Sequence, residues 1–135
     1  MVSNVYSATV IGINAYKITV DIDINNSLPS IVIVGLPDAA VSEAKERVRS
    51  AIKNSGFEFP LKKIVINLAP ADLKKEGTNY DLPIAVGILA QSDPLLQEKI
   101  KDFALVGELS LDGSIKPING VLSIVSGLKN LGINR

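Results

Sequence analysis

Residues 64 to 90 hold the pattern in this chain with most potential for chemistry. The apolar run Ile64-Val65-Ile66-Asn67-Leu68 passes into Ala69-Pro70-Ala71-Asp72-Leu73-Lys74-Lys75, then Glu76-Gly77-Thr78-Asn79-Tyr80-Asp81-Leu82-Pro83, and a second apolar run follows. A strand that enters a tight polar loop opening a buried helix is where many α/β folds seat a nucleophile or a phosphate cradle. Here the loop offers an amide, Asn79, and a phenol, Tyr80, with no activated nucleophile beside them.

Composition closes most other routes to catalysis. With no cysteine and no histidine, the chain has no thiol nucleophile, no Cys-ligated zinc site and no imidazole base. A Walker A loop needs Gly-x4-Gly-Lys-Ser/Thr to hold phosphates with backbone amides and a lysine, and that string is absent. None of the serines sits in a Gly-x-Ser-x-Gly elbow. Gly107 and Gly113 belong to a hairpin pattern rather than a dinucleotide fingerprint. The remaining covalent option is a serine or threonine paired with a lysine, such as Thr78 with Lys74 or Lys75. Asp21 and Asp23 are too few oxygen donors for a cation site and read as a solvated strand face.

Lysine plus arginine and aspartate plus glutamate both number 14, yet the balance is uneven along the chain. Residues 45 to 75 carry Lys45, Arg47, Arg49, Lys53, Lys62, Lys63, Lys74 and Lys75 against Glu46, Glu58 and Asp72, so eight less three leaves +5. If the chain meets nucleic acid, these eight are the candidate contacts, to phosphates and without sequence preference.

The elements that must position these residues follow from periodicity. Val5 to Ile11, Tyr16 to Ile24 and Ser30 to Val34 are β-branched, alternating runs separated by Gly, Asn and Pro, and predict three strands. Gly35-Leu36-Pro37-Asp38 opens a helix that Gly56 closes, with a buried stripe at Val41, Ala44, Val48, Ala51 and Ile52. Lys63 to Leu68 is a fourth strand. Asp81 is placed to cap a helix over Leu82 to Gln91, which is apolar nearly all round and so belongs inside. Asp93-Pro94 starts a short helix, Asp112-Gly113 favours a hairpin between 103–110 and 114–117, and Val121 to Leu131 reads as a last helix closed by Gly132. The length and the 47% apolar content suit one domain with its own core. Ile133-Asn134-Arg135 stand where the next strand would begin, so the domain is expected to continue into a longer chain.

Several long segments, taken together and in order, resemble one family. They are Val34 to Val41, Glu46-Arg47-Val48-Arg49, Asn67 to Gly77, Tyr80 to Ala85 and Val106 to Gly113. The chain resembles the N-terminal domain of the YifB/ComM family, magnesium-chelatase-like AAA+ ATPases associated with competence and DNA recombination. The resemblance implies an α/β (α+β) fold similar to ribosomal protein S5 domain 2, with a mixed sheet packed by helices, as in the proteolytic domain of Lon. On that match the Lon-like serine and lysine positions fall at Asn79 and Leu122, so both members of the dyad are missing. The resemblance further implies a downstream AAA+ module using ATP and magnesium, a hexameric parent and DNA as a candidate partner. The residues themselves offer no cofactor or metal site in this segment, and Met1-Val2-Ser3-Asn4 lacks the basic start and long apolar run of a signal peptide, with no stretch near the roughly 20 apolar residues that span a bilayer, so a cytoplasmic protein free of membrane is expected.

The function expected from these readings is a non-catalytic accessory domain that helps a DNA-processing motor assemble or engage DNA. The alternative is a protein-interaction module using exposed strand edges or the hairpin from Gly107 to Pro117. A residual Lon-like peptidase comes last.

Overall fold

The computed structural model of the protein describes residues 2–12 and 14–116, and the helix expected over Val121 to Leu131 lies outside them. The elements are β1 (Val2–Ile11), β2 (Asn14–Asn25), β3 (Ser30–Val34), α1 (Ala39–Ser42), α2 (Ala44–Asn54), β4 (Lys63–Ala69), α3 (Asp81–Ala90), α4 (Pro94–Ile100), β5 (Glu108–Leu109) and β6 (Ile115–Lys116).

Four strands form one mixed sheet in the order β1-β2-β4-β3. β1 and β2 are an antiparallel hairpin, β4 runs antiparallel to β2, and β3 lies parallel to β4, with the α1–α2 segment as the crossover. The fold class is therefore α/β with a mixed sheet and helices packed on it. Alternation along β2 sends Ile18, Val20 and Ile22 to the helical side, where all three have no exposed surface. Ile64, Ile66 and Leu68 of β4 do the same and share one core with Tyr80, Ile84 and Ile88, while α3 packs chiefly against β1 and β2. Asp21 and Asp23 are half-buried on the other face, where Asp21 accepts from Asn67 Nδ2 at 3.4 Å. Among the described residues no group of three or more His, Cys, Asp or Glu side chains comes together.

Three local details differ from the sequence expectation. The single helix after Asp38 is two helices that meet at Glu43, where the Ala40 carbonyl accepts from the Arg47 guanidinium at 2.8 Å. Asp38 does cap this region, accepting from the Val41 N–H at 2.8 Å. Asp81 does not cap α3: it is the first helical residue, fully buried, and its side chain serves elsewhere. The hairpin around Asp112-Gly113 forms, but β5 and β6 are two residues each, and Ala104 instead makes a parallel bridge to Tyr6 of β1.

Two glycines are required by geometry. Gly56 (φ +88°) ends α2 in a Schellman arrangement, in which Gly56 N–H donates to Lys53 O at 3.1 Å and Phe57 N–H to Ile52 O at 3.2 Å. Gly35 (φ +104°) follows β3 so close to β4 that a Cβ would overlap the Leu68 carbonyl oxygen.

Candidate functional site

The loop that precedes α3 is filled and internally bonded. A helix N-terminus binds anions only when its first N–H groups are unpaired. In α3 the Asp81 N–H donates to Thr78 O at 3.3 Å, Leu82 N–H to Gly107 O at 3.0 Å and Ile84 N–H to Tyr80 O at 3.1 Å. Pro83, the residue between them, has no N–H to give. Asn79 is occupied as well: its Nδ2 donates to Ala8 O at 2.9 Å and its carbonyl accepts from Gly107 N–H at 3.0 Å. Asn79 thus braces β1 to the segment entering β5.

Neither lysine approaches Thr78 as a base. Lys75 has no exposed surface, and its Nζ donates to the Pro70 carbonyl across the base of the loop. Burial pushes its pKa down, with Asp72 acting in the other direction. Lys74 is exposed and pairs with Glu76 at 3.5 Å. No hydrogen bond joins Thr78 to either lysine among the described residues. Leu122, the other position expected to be Lon-like, lies outside them.

The same loop is stitched to the β3–α1 turn. Lys75 N–H donates to Leu36 O at 3.0 Å, Asp38 N–H to Lys75 O at 2.9 Å and Gly77 N–H to Asp38 Oδ2 at 3.2 Å. Tyr80 is wholly buried behind it. Burial raises the pKa of its phenol; Thr9 and Asn79 are polar neighbours acting the other way, and neither reaches hydrogen-bond geometry. Ser7 Oγ is likewise buried without a partner among the described residues.

The strongest electrostatic feature is an ion pair that sequence reasoning missed. Arg47 Nε donates to Asp81 Oδ2 at 2.6 Å and Nη2 to Asp81 Oδ1 at 3.0 Å, a two-point contact between α2 and α3. Asp81 Oδ2 also accepts from the Leu109 N–H at 3.1 Å, so one carboxylate gathers α2, α3 and β5. The Asp81 side chain is 1% exposed and that of Arg47 18%. Burial raises the Asp81 pKa despite the Arg47 and Leu109 hydrogen bonds, which lower it. Arg47, on the wetter side of the pair, is raised first by its hydrogen bond to Asp81. For the pair as a whole burial is the controlling influence at the carboxylate, because the guanidinium keeps contact with water.

Of the eight basic residues, then, Arg47 is engaged by Asp81 and Lys75 by the Pro70 carbonyl. Of the other six, Lys53, Lys62 and Lys74 are exposed and Lys45, Arg49 and Lys63 half-buried. Lys45, Arg49 and Lys53 follow one another at i,i+4 spacing along α2, and Lys63 lies at the start of β4. Arg49 stacks over the Phe59 ring at 5.6 Å.

Comparison with known proteins decides the family. Residues 20–135 match the family model for subunit ChlI of Mg-chelatase. The chain is 53% identical over 119 residues to the uncharacterized protein YifB of Salmonella typhimurium, covering 88% of this chain and 24% of that protein. The chain belongs to the ChlI-type, magnesium-chelatase-like family. Within it the chain falls in the YifB/ComM group: it is 52% identical over 121 residues to YifB of Escherichia coli and 46% identical over 121 residues to the competence protein ComM of Haemophilus influenzae, covering 90% of this chain in each case and 24% of each relative. The chain spans about a quarter of the length of these YifB/ComM relatives. No helix among the described residues of this ChlI-type domain is long and apolar enough to cross a membrane.

Proposed function

We propose that this ChlI-type domain is a non-catalytic accessory module of a magnesium-chelatase-like AAA+ ATPase, one that helps a DNA-processing motor assemble or engage DNA. The observation that carries this reading is the closed loop at Asn79. Where related folds keep a nucleophile, Asn79 spends its amide on Ala8 and its carbonyl on Gly107, and the first amides of α3 are already bonded. The sequence has no Walker A loop, so in this reading ATP and magnesium are held outside this domain. Both belong to the AAA+ module of the same chain, within a hexameric, cytoplasmic parent of the kind that ComM's name links to competence.

DNA engagement, in this reading, runs through Lys45, Arg49, Lys53, Lys62, Lys63 and Lys74 to phosphates. Replacing Lys45, Arg49, Lys53 and Lys62 with glutamate in the full-length parent is expected to weaken DNA binding. The slope of log affinity against log salt should fall by about 0.9 for each phosphate of duplex DNA that the variant no longer neutralises. An unchanged affinity and slope would remove DNA contact from the role of this domain and leave assembly. Turnover of casein by the pure domain would overturn the non-catalytic reading in favour of a peptidase.

A further inference from the structure

The two edges of the main sheet are finished differently. At the β1 edge the chain returns alongside: Leu105 N–H donates to Tyr6 O at 2.8 Å, Ala104 bridges Tyr6, and Val10, Ala104 and Val106 close over Ala8. At the β3 edge, β4 is the one strand neighbour among the described residues. β3 also lacks the devices that keep edge strands from pairing, which are charge, an internal proline or a bulge. From Ile24 to Pro37 no residue is charged, and β3 itself is Ser-Ile-Val-Ile-Val.

Apolar side chains lie bare along this edge with the period of a strand. Leu28 is 87% exposed, Val32 39%, Val34 42% and Leu36 53%. Leu36 also holds φ +56°, a left-handed conformation that a branched aliphatic residue seldom adopts, and does so with its side chain in water. Val65 of β4 stands beside Val32 in the register and continues the apolar row.

We propose that β3 is a self-association edge: the β3 strand of a second copy of this chain adds to it antiparallel, about a two-fold axis at Val32. The sequence of β3 is complementary to itself in that arrangement. Val32 meets its own copy, Ile31 meets Ile33 and Ser30 meets Val34, so each cross-strand pair is uncharged and all but the outermost are β-branched throughout. A hydrogen-bonding edge is satisfied by another strand rather than by a helix or a nucleic acid, and a polar or charged peptide would waste the exposed valines. With so short a strand the association should be weak. This inference does not rest on the DNA-engaging reading, since none of those six basic residues other than Lys63 adjoins β3 in the register.

Sedimentation of the 135-residue chain over a range of concentrations tests it. The expected result is a monomer–dimer equilibrium that Val32→Lys weakens at least about 30-fold, because two lysines would face each other across the axis. Leu95→Lys, at an exposed site on α4, should leave it unchanged. As the chain has no cysteine, Val32→Cys supplies a second readout: oxidation should give a disulfide-linked dimer, and Leu95→Cys should not. A monomer at every concentration, a dimer indifferent to Val32→Lys, or equal cross-linking of the two cysteine variants would overturn the proposal.

Discussion

Arg47 and Asp81 are 34 positions apart in sequence and form a two-point ion pair of 2.6 and 3.0 Å between α2 and α3. Removing one partner of a buried pair leaves an uncompensated charge, which typically costs about 3–5 kcal/mol. Arg47→Met should therefore destabilise the domain by that order in urea unfolding. Asp81→Asn should cost less, about 1–2 kcal/mol, because the amide still accepts from Leu109 N–H and Arg47 keeps Ala40 and water. Equal losses for the two variants would contradict the assignment of burial as the controlling influence at Asp81.

The pair also fixes a pH dependence. The Asp81 pKa in the folded chain is raised above its ordinary 3.8, so the folded chain holds this proton more readily than the unfolded one. Its own contribution to stability is then fully present below the unfolded value and is lost as pH rises through the folded value. The stability advantage of wild type over Asp81→Asn should shrink as pH is raised from below the unfolded value of 3.8 through the higher folded value. Parallel urea titrations measure this directly, and an advantage that grows over that window has the wrong sign.

Asn79 and its neighbour Tyr80 separate a brace from a degenerate active site. Asn79→Ala removes the bond to Ala8 O and should cost about 1–2 kcal/mol. Tyr80→Phe removes a buried hydroxyl that has no partner among the described residues and should be neutral or stabilising by up to about 1 kcal/mol. Thermal melts of both variants check the pair of values. A large loss for Tyr80→Phe would mean that the phenol serves a further bond or a ligand.

The adjacent lysines of the loop should behave oppositely. Lys74→Glu alters an exposed side chain that faces Glu76 and should change stability by no more than about 0.5 kcal/mol. Lys75→Glu places a carboxylate against the Pro70 carbonyl in a site with no exposed surface, and a loss above about 3 kcal/mol is expected. Equilibrium unfolding of the two single variants makes the comparison.

The strands and the inward position of α3 are legible in the sequence because their periods are local. Ile18, Val20 and Ile22 alternate, and all are fully buried; α3 is apolar around its circumference and lies under the sheet. The role of Asp81 is not legible. An aspartate at a helix start satisfies the local capping rule, and only the tertiary approach of Arg47 and Leu109 shows that its carboxylate is used elsewhere. The basic excess meets the same limit. Nothing in Lys74-Lys75 distinguishes the exposed residue from the buried one until the loop folds back on Pro70. At the break at Glu43 the Arg47 guanidinium reaches the Ala40 carbonyl, a contact periodicity cannot register. That the loop at Asn79 lacks a nucleophile can be read from its residues, yet its bonds to Ala8 and Gly107 join segments far apart in sequence.

The most direct test of the accessory role is ATP turnover by the full-length parent, measured with and without DNA. Wild type is compared with the variant carrying glutamate at 45, 49, 53 and 62. Basal turnover should be unchanged, and the DNA-stimulated increment should be reduced and fall further as salt rises. Unchanged stimulation would contradict DNA engagement through this surface, and loss of basal turnover in a folded, assembled variant would contradict a purely accessory domain.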